Sequence, residues 1–346
     1  MRPIRRGALA ALLLLGAAAC GDDGGGGGSG GGGSLATFRD ALAAVPADDL
    51  AEGALITWAD LDAATDAAGL ERPEAGDGEA LVDWLLALTG EEDSVVMVPF
   101  ADTLQIQSIN GRAAEFEAEL GWTVADVDAF VELSAPPARF FVGAGDLGVD
   151  GEDLVELEDG ILTAGEGEDL ATDLAGGTAA RPLGAPLRLA EDGGLLAASA
   201  RTEPLQAWVS GSGDRLAQDD GLAAVAAAVD EAGAVSAVAV RTTPASIPWS
   251  YDTAAIGWAV DPDGEPVITI AFHLAEPEEA DEAAEALEEA LRTDELAASS
   301  ERLAEYLEVV EVTADDGVLV ATLHLGPQGN VRHPMLMLSR QDLPFR

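Results

Sequence analysis

The chain has 346 residues, with 64 acidic side chains against 17 basic ones and a formal net charge of −47 at pH 7. A field of that sign repels nucleic acid, so we expect no nucleic-acid partner. The chain contains no lysine, which excludes P-loop, Schiff-base and pyridoxal-phosphate sites and the Ser-x-x-Lys acyl enzymes. We therefore expect no cofactor, and the composition favours a non-enzymatic protein without deciding the matter.

The first 20 residues have the order of an export signal. Arg2, Arg5 and Arg6 form a cationic start, residues 8–15 are apolar, and Cys20 directly follows three alanines. This apolar run is too short for a stable membrane span. The pattern resembles the lipobox signal of bacterial lipoproteins. The resemblance implies a signal peptide over residues 1–19, a lipid on the Cys20 sulfur and a mature protein anchored on the extracytoplasmic face of the membrane. An ordinary secretory signal with an incidental cysteine is the alternative.

Residues 20–34 join this signal to the rest of the chain. After Cys20 the segment is almost entirely glycine, a composition that behaves as a flexible coil and spans about 20 Å root-mean-square. We interpret residues 20–34 as the lipidated cysteine and a tether. The folded body then begins near Leu35.

Helical patterns prevail in the first half of the body. Thr57-x-x-Asp60 and Thr123-x-x-Asp126 have the form of capping boxes, and Asp77 can cap a further helix. These signals predict helices over residues 38–45, 58–68, the segment after Asp77, 112–120 and 124–133. Short buried strands are predicted at 95–98 and 140–142.

From about residue 154 the pattern changes to pairs of apolar runs joined by acidic turns that end in glycine. Such turns supply the positive φ that a β-hairpin requires. The predicted pairs are 154–157 with 161–164, 187–190 with 195–199, 256–260 with 267–274, and 307–313 with 318–325. A further strand is predicted at 235–241, and helices are predicted at 168–174, 203–209, 219–230 and 277–291.

These patterns predict an α+β fold of antiparallel sheets built from hairpins, with helices packed on one face. The change of pattern also predicts two packed lobes. A helix-rich N-terminal lobe would cover residues 35–180, and a hairpin-rich C-terminal lobe would cover residues 181–346. The spacing of the repeated units is too irregular for a solenoid, while an internal duplication stays open.

The three histidines suggest a metal site. His273 and His324 are predicted to project from the non-core faces of two strands, near the strand ends. If those strands were neighbours, the two imidazoles could meet and His333 could add a third ligand, which is a set typical of zinc. Two unrelated surface histidines are the alternative.

The loop over residues 244–252 suggests a binding surface. Trp249 and Tyr251 lie in it, and aromatic residues in loops are over-used at binding surfaces. We consider both residues as candidate ligand contacts, and a packed loop plug as the alternative.

Three further patterns are weaker. Gly143-x-Gly145-x-x-Gly148 follows a strand, but Asp150-Gly151 interrupts the helix that a dinucleotide site needs. Asp261-x-Asp263-Gly264 lacks the closing glutamate of a calcium loop. A pair of carboxylates acting as acid and base requires a buried carboxyl with a raised pKa, which sequence does not reveal.

Three functional hypotheses follow. The first is a lipid-anchored binding or accessory protein with an envelope or cell-wall partner. The second is a solute-binding lipoprotein of a transporter, and the third is a hydrolase that uses carboxylates.

Overall fold

A computed structural model describes residues 34–74, 77–90, 94–104, 111–151, 153–158, 160–242, 247–297 and 300–345. Cys20 and the other residues of the proposed signal and tether up to residue 33 lie outside that range. None of the helices in these segments is both long and apolar enough to cross a membrane.

The described residues form one antiparallel sheet of twelve strands with helices packed against it. The predicted α+β class with antiparallel strands is confirmed. The strands are β1 Leu55–Asp60, β2 Val127–Ala135, β3 Ala138–Gly145, β4 Val155–Glu158, β5 Ile161–Ala164, β6 Leu187–Asp192, β7 Leu195–Ser199, β8 Ser236–Arg241, β9 Tyr251–Val260, β10 Pro266–Leu274, β11 Leu307–Asp315 and β12 Val318–Leu325.

The helices include α1 Phe38–Ala44, α2 Leu61–Ala67, α3 Gly78–Leu88, α4 Ala113–Leu120, α5 Thr202–Val209, α6 Asp220–Glu231, α7 Ala280–Thr293 and α8 His333–Arg340. Several begin at side chains that accept a hydrogen bond from the first turn, as N-caps do. Thr37 caps α1, Asp60 caps α2, Asp77 caps α3 and Asp219 caps α6.

The four predicted hairpins are confirmed as β4–β5, β6–β7, β9–β10 and β11–β12. Their turns contain Gly160, Gly193, Gly264 and Gly317, whose φ angles lie between 59° and 88°. Residues with a Cβ rarely adopt that conformation, so glycine at these positions allows the strands to reverse direction.

Helices cover both faces of the sheet, and the prediction of one covered face is wrong. On β1, Trp58 packs in a cluster with α1, α5 and α6, whereas Ala59 packs in a different cluster with α2, α3 and α4. Adjacent residues of a strand point to opposite faces. Because every strand of a wide central sheet has two faces to bury, a single helical layer would leave one face in water.

Side-chain size differs between the two faces where α6 packs. Ala237, Ala255 and Ala271 face α6, while Ile256 and Phe272 face the opposite layer with α7. Small residues bring the axis of α6 close to the sheet. Gly257 extends this arrangement, because a Cβ there would lie 2.9 Å from the side chain of Val229.

Two predicted helices have the wrong bounds or type. The predicted helix 58–68 begins only at Leu61, because Thr57 and Trp58 belong to β1. The predicted helix 124–133 is a short 3₁₀ turn, Val124–Asp126, followed by β2. The capping box on Thr123 is present, but it caps that single turn. The predicted strand 95–98 and helix 168–174 do not form as regular elements.

The strand order is β11-β12-β10-β9-β8-β1-β2-β3-β7-β6-β5-β4. Outward from the β1–β8 pair, the order β1-β2-β3-β7-β6 is repeated as β8-β9-β10-β12-β11. The predicted lobe boundary at residue 180 is not confirmed, since β6 and β7 follow it yet lie in the same half of the sheet as β1. The helix-rich character of residues 35–180 comes from α2, α3 and α4, which are inserted between β1 and β2.

Candidate functional site

A pocket of about 440 Å³ opens where β3 begins and β7 ends. The loop of residues 165–186, which connects β5 to β6, forms the rest of the wall. The walls are mainly aliphatic, with three prolines and three leucines, and Arg139, Arg181 and Asp102 contribute charge. The prolines and leucines are Pro137, Leu170, Pro182, Leu183, Pro186 and Leu187. Mostly apolar clefts of this size with a few polar groups are typical of small-molecule sites.

Glu132 lies beside this pocket, on the same face of β2 as Phe130. Its side chain is 2% exposed. Oε1 accepts a hydrogen bond from the Asp102 backbone N–H at 2.8 Å, and Oε2 accepts from the Thr103 backbone N–H at 3.2 Å and from the Thr103 hydroxyl. Burial raises the pKa of Glu132 to about 7, even though Arg139 and the Thr103 hydroxyl act to lower it.

Arg139 connects the buried carboxyl to the pocket. Its Nη2 donates to Asp102 Oδ2 at 2.9 Å, and its Nε lies 3.9 Å from Glu132 Oε1. The second distance is too long for a hydrogen bond but close enough for electrostatic attraction. The Arg139 side chain is 40% exposed and lines the pocket, so a molecule in the pocket can reach it.

Two ion pairs hold the loop of residues 165–186 in place. Arg181 Nε donates to Glu119 Oε1 at 2.6 Å, with the two side chains 13% and 10% exposed. Arg188, also buried, donates to Asp169 and to the carbonyl of Gly167. Asp169 in turn accepts from the backbone N–H and hydroxyl of Thr202, at the start of α5.

The same bonds control the protonation of Asp169. Burial acts to raise its pKa, but the bonds from Thr202 and Arg188 outweigh that effect, so the pKa of Asp169 is lowered. The loop is therefore held by an ionised carboxylate at neutral pH.

The loop also requires glycine at position 184. Gly184 has φ +66°, and a Cβ there would lie 1.8 Å from the carbonyl oxygen of Asp173. Backbone therefore crosses backbone at this position, on the rim of the pocket.

The structure does not bring the three histidines together. The strands β10 and β12 are neighbours, as the hypothesis required, but they are antiparallel: His273 pairs with Val318, while Leu323, next to His324, pairs with Ile268. His273 and His324 are therefore at opposite ends of the pair, roughly 20 Å apart along the strands.

His273 and His333 each have a hydrogen-bonding partner nearby in the structure. His273 Nδ1 lies 2.9 Å from Asp252 Oδ1. His333 Nδ1 accepts from the Asn330 backbone N–H at 2.8 Å, its ring packs on Tyr306, and burial lowers its pKa. Among the described residues, no group of three or more His, Cys, Asp or Glu could hold a metal ion.

Trp249 and Tyr251 lie in the core rather than on an exposed loop. They are 1% and 0% exposed and pack against Phe272. The Tyr251 hydroxyl donates to the carbonyl of Phe345, whereas Trp249 Nε1 has no hydrogen-bond partner among the described residues. The plug alternative fits both residues, although Trp249 also lines a small pocket of about 210 Å³ together with Pro248 and Glu279.

The weaker patterns have structural explanations. Gly145 ends β3 and is followed by an irregular loop instead of a helix, so the glycine pattern does not form a dinucleotide site. Asp261 Oδ1 accepts from the backbone N–H groups of Asp263 and Glu265, at 2.9 Å each. These bonds stabilise the hairpin turn without a cation.

No protein-family model, curated protein or solved structure matches the chain.

Sequence reasoning missed the site. The sequence pattern predicts a helix over residues 124–133, and in a helix the position of Glu132 does not indicate that its carboxyl is buried. On a strand, however, Glu132 shares a face with Phe130, and Phe130 is a core residue. A charged residue in a core-facing register position is the signal that would have pointed to it.

Proposed function

We propose that this chain is a lipid-anchored extracytoplasmic binding protein of the cell envelope, and that the pocket beside Arg139 is its ligand site. The single observation that carries the binding role is the mainly aliphatic pocket of about 440 Å³ that the partly exposed side chain of Arg139 lines. The anchor rests on the lipobox-like segment that ends at Cys20. The membrane is then one partner, through the lipid, and an envelope or cell-wall component is the other.

Glu132 favours binding over hydrolysis. A carboxylate hydrolase needs two carboxyl groups that reach the substrate. Although the pKa of Glu132 is about 7, both of its oxygens already accept hydrogen bonds from Asp102 and Thr103. We interpret Glu132 as the group that fixes Arg139 and the segment from Asp102.

The all-antiparallel strand pairing disfavours the transporter-receptor hypothesis. Solute receptors with two lobes are built from parallel strands joined by helical crossovers. In the described residues each pair of neighbouring strands is antiparallel. We therefore place this hypothesis behind a dedicated binding module.

The anchor is tested by Cys20→Ser in cells that process lipoproteins. We expect wild type in the membrane fraction, labelled by a fatty-acid analogue, and Cys20→Ser unlabelled and released from the membrane. Ser34→Ala changes a small residue of the same segment without removing the sulfur, and it should behave as wild type. Equal membrane retention of Cys20→Ser would contradict the anchor.

The pocket is tested with the neutral fluorescent dye N-phenyl-1-naphthylamine. We expect saturable binding to wild type and loss of binding in Ala185→Trp, which places a large side chain in the pocket wall. Ala224→Trp, at a half-buried alanine of α6 outside the pocket, is the matched control. Equal binding by all three proteins would contradict the assignment of the site.

A further inference from the structure

The ligand class can be inferred from the pocket, provided that the proposed binding function is correct. The pocket joins mainly aliphatic walls to a few polar side chains, namely Asp102, Thr103, Arg139, Thr172, Arg181 and Ser199. Arg181 is already paired with Glu119, and the hydroxyls of Thr103 and Ser199 donate to Glu132 and to the carbonyl of Arg139. The guanidinium of Arg139 is therefore the charged donor on which the inference rests. The chemistry of each part restricts what can fill it.

The first restriction comes from Arg139. A guanidinium has five N–H donors, and within the described part of the chain Arg139 donates a hydrogen bond only through Nη2, to Asp102. Arg139 Nε is 3.9 Å from Glu132 Oε1, which is too far for a hydrogen bond. The remaining N–H donors are free to bond water or a ligand. A ligand must therefore supply an oxygen acceptor here, and a carboxylate matches the fork geometry with two parallel bonds.

The second restriction comes from the local charge. Asp102 is 51% exposed and forms a single 2.9 Å contact with Arg139, so it can share the guanidinium with a second carboxylate. Glu132 cannot move, because the backbone N–H groups of Asp102 and Thr103 hold both of its oxygens. The fixed carboxyl of Glu132 lies 3.9 Å from Arg139 Nε, and the side chain of Arg139 also lines the pocket, where a ligand can reach it.

The third restriction comes from the walls. Pro137, Pro182 and Pro186 have no backbone N–H, and Leu170 and Leu183 are aliphatic. Among the described residues that line the pocket, none carries an aromatic ring on which a planar ligand would stack. A flexible hydrocarbon fills such a space by dispersion and by the hydrophobic effect.

We infer that the pocket binds an aliphatic carboxylate, with its carboxylate on Arg139 and its hydrocarbon between the proline and leucine walls. The same chemistry is present in a free fatty acid of medium length and in the acid end of a larger molecule. The charge of −47 repels an anion over the rest of the surface, so preference for an anion must come from this local pairing.

The test is displacement of N-phenyl-1-naphthylamine by decanoate and by decanol, both below their aggregation limits and at a pH where decanoate is ionised. The two probes differ in the head group alone. We expect decanoate to displace the dye from wild type at about one tenth of the decanol concentration or less, since a hydrogen bond to a charged group contributes about 1.5–3 kcal/mol.

Three variants test whether the preference comes from Arg139. In Arg139→Gln the two probes should become equal within about twofold, with decanol unchanged. Arg241→Gln is the matched control: Arg241 is 42% exposed and pairs with Asp219 at 3.0 Å, and this variant should keep the preference. Asp102→Asn removes the competing carboxylate but keeps its backbone N–H, and it should strengthen decanoate binding severalfold.

The outcomes separate the two proposals. If decanol displaces the dye from wild type as well as decanoate does, the inferred ligand class is wrong while the pocket stands. If Arg139→Gln and Arg241→Gln both keep the decanoate preference, the guanidinium of Arg139 is not the recognition group. If dye binding is insensitive to Ala185→Trp, the proposed function itself fails.

Discussion

Replacing Glu132 by glutamine tests the electrostatics of the site through the stability of the whole chain. The substitution keeps the shape of the side chain and removes its ionisation. In wild type, burial raises the pKa of Glu132 from its ordinary value of 4.5 to about 7. The folded state therefore binds this proton more tightly than the unfolded state does.

The sign and size of the effect follow from proton linkage. Below about pH 4.5 both states of wild type are protonated at Glu132, and the favourable contribution is fully present. As the pH rises to about 7, the unfolded state ionises first and stability is lost. At 1.36 kcal/mol per pH unit, the loss amounts to about 3 kcal/mol of the free energy of unfolding.

Urea unfolding, followed by tryptophan fluorescence at a series of pH values from about 5 to 8.5, measures this loss. We expect Glu132→Gln to lack the wild-type decline, so that the difference between the two proteins changes by about 3 kcal/mol across the series. Glu308→Gln removes one exposed charge from the same acidic chain and controls for net charge. Parallel curves for wild type and Glu132→Gln would refute the reasoning that burial raises this pKa.

Two further matched pairs test the packing. Gly184→Ala and Gly69→Ala both force a residue with a Cβ to φ near +65°, but only at Gly184 would the Cβ meet a carbonyl oxygen. In thermal unfolding, Gly184→Ala should therefore lose at least about 1 kcal/mol more stability than Gly69→Ala. Equal losses of stability would show that the loop adjusts. In urea unfolding, Trp258→Phe should lower the free energy of unfolding by about 1 kcal/mol more than Trp249→Phe does. Trp258 Nε1 donates to the Val331 carbonyl at 2.8 Å, whereas Trp249 Nε1 has no hydrogen-bond partner among the described residues. A larger loss in Trp249→Phe would contradict that assignment.

The hairpins were predictable because their signals are local. An acidic turn that ends in glycine fixes the reversal, and alternating apolar residues fix the face. The helices α1, α3 and α6 were predictable for a similar reason, since Thr37, Asp77 and Asp219 cap them directly.

The strand β2 was not predictable in the same way. The capping box at Thr123 indicates a helix, and local sequence does not show that the helical turn ends after Asp126. The next nine residues form a strand because they pair with β1 and β3. β1 lies far earlier in the chain, and β3 follows β2. Tertiary pairing overrides local propensity in such segments.

The same limit applies to the site. Arg139, Asp102 and Glu132 come from three separate segments, and their spacing in sequence follows no motif. The histidine hypothesis failed for a related reason. Its condition that the two strands be neighbours is met, but the hypothesis also needed the two strand ends to lie side by side, as in a parallel pair, whereas β10 and β12 pair antiparallel.

The strand-order repeat explains why the pocket lies in only one half of the sheet. The two halves share the order of five strands, but the connections after their third strands differ. The second half places α7 between β10 and β11, which covers the sheet with a helix. The first half places β4, β5 and the loop of residues 165–186 between β3 and β6, and this loop forms a wall of the pocket. Binding sites are commonly built on connections that a rigid scaffold holds in place. We infer that the repeated sheet holds Arg139 and Glu132 in fixed positions, and that the inserted loop limits the length and shape of a hydrocarbon that can lie between the proline and leucine walls.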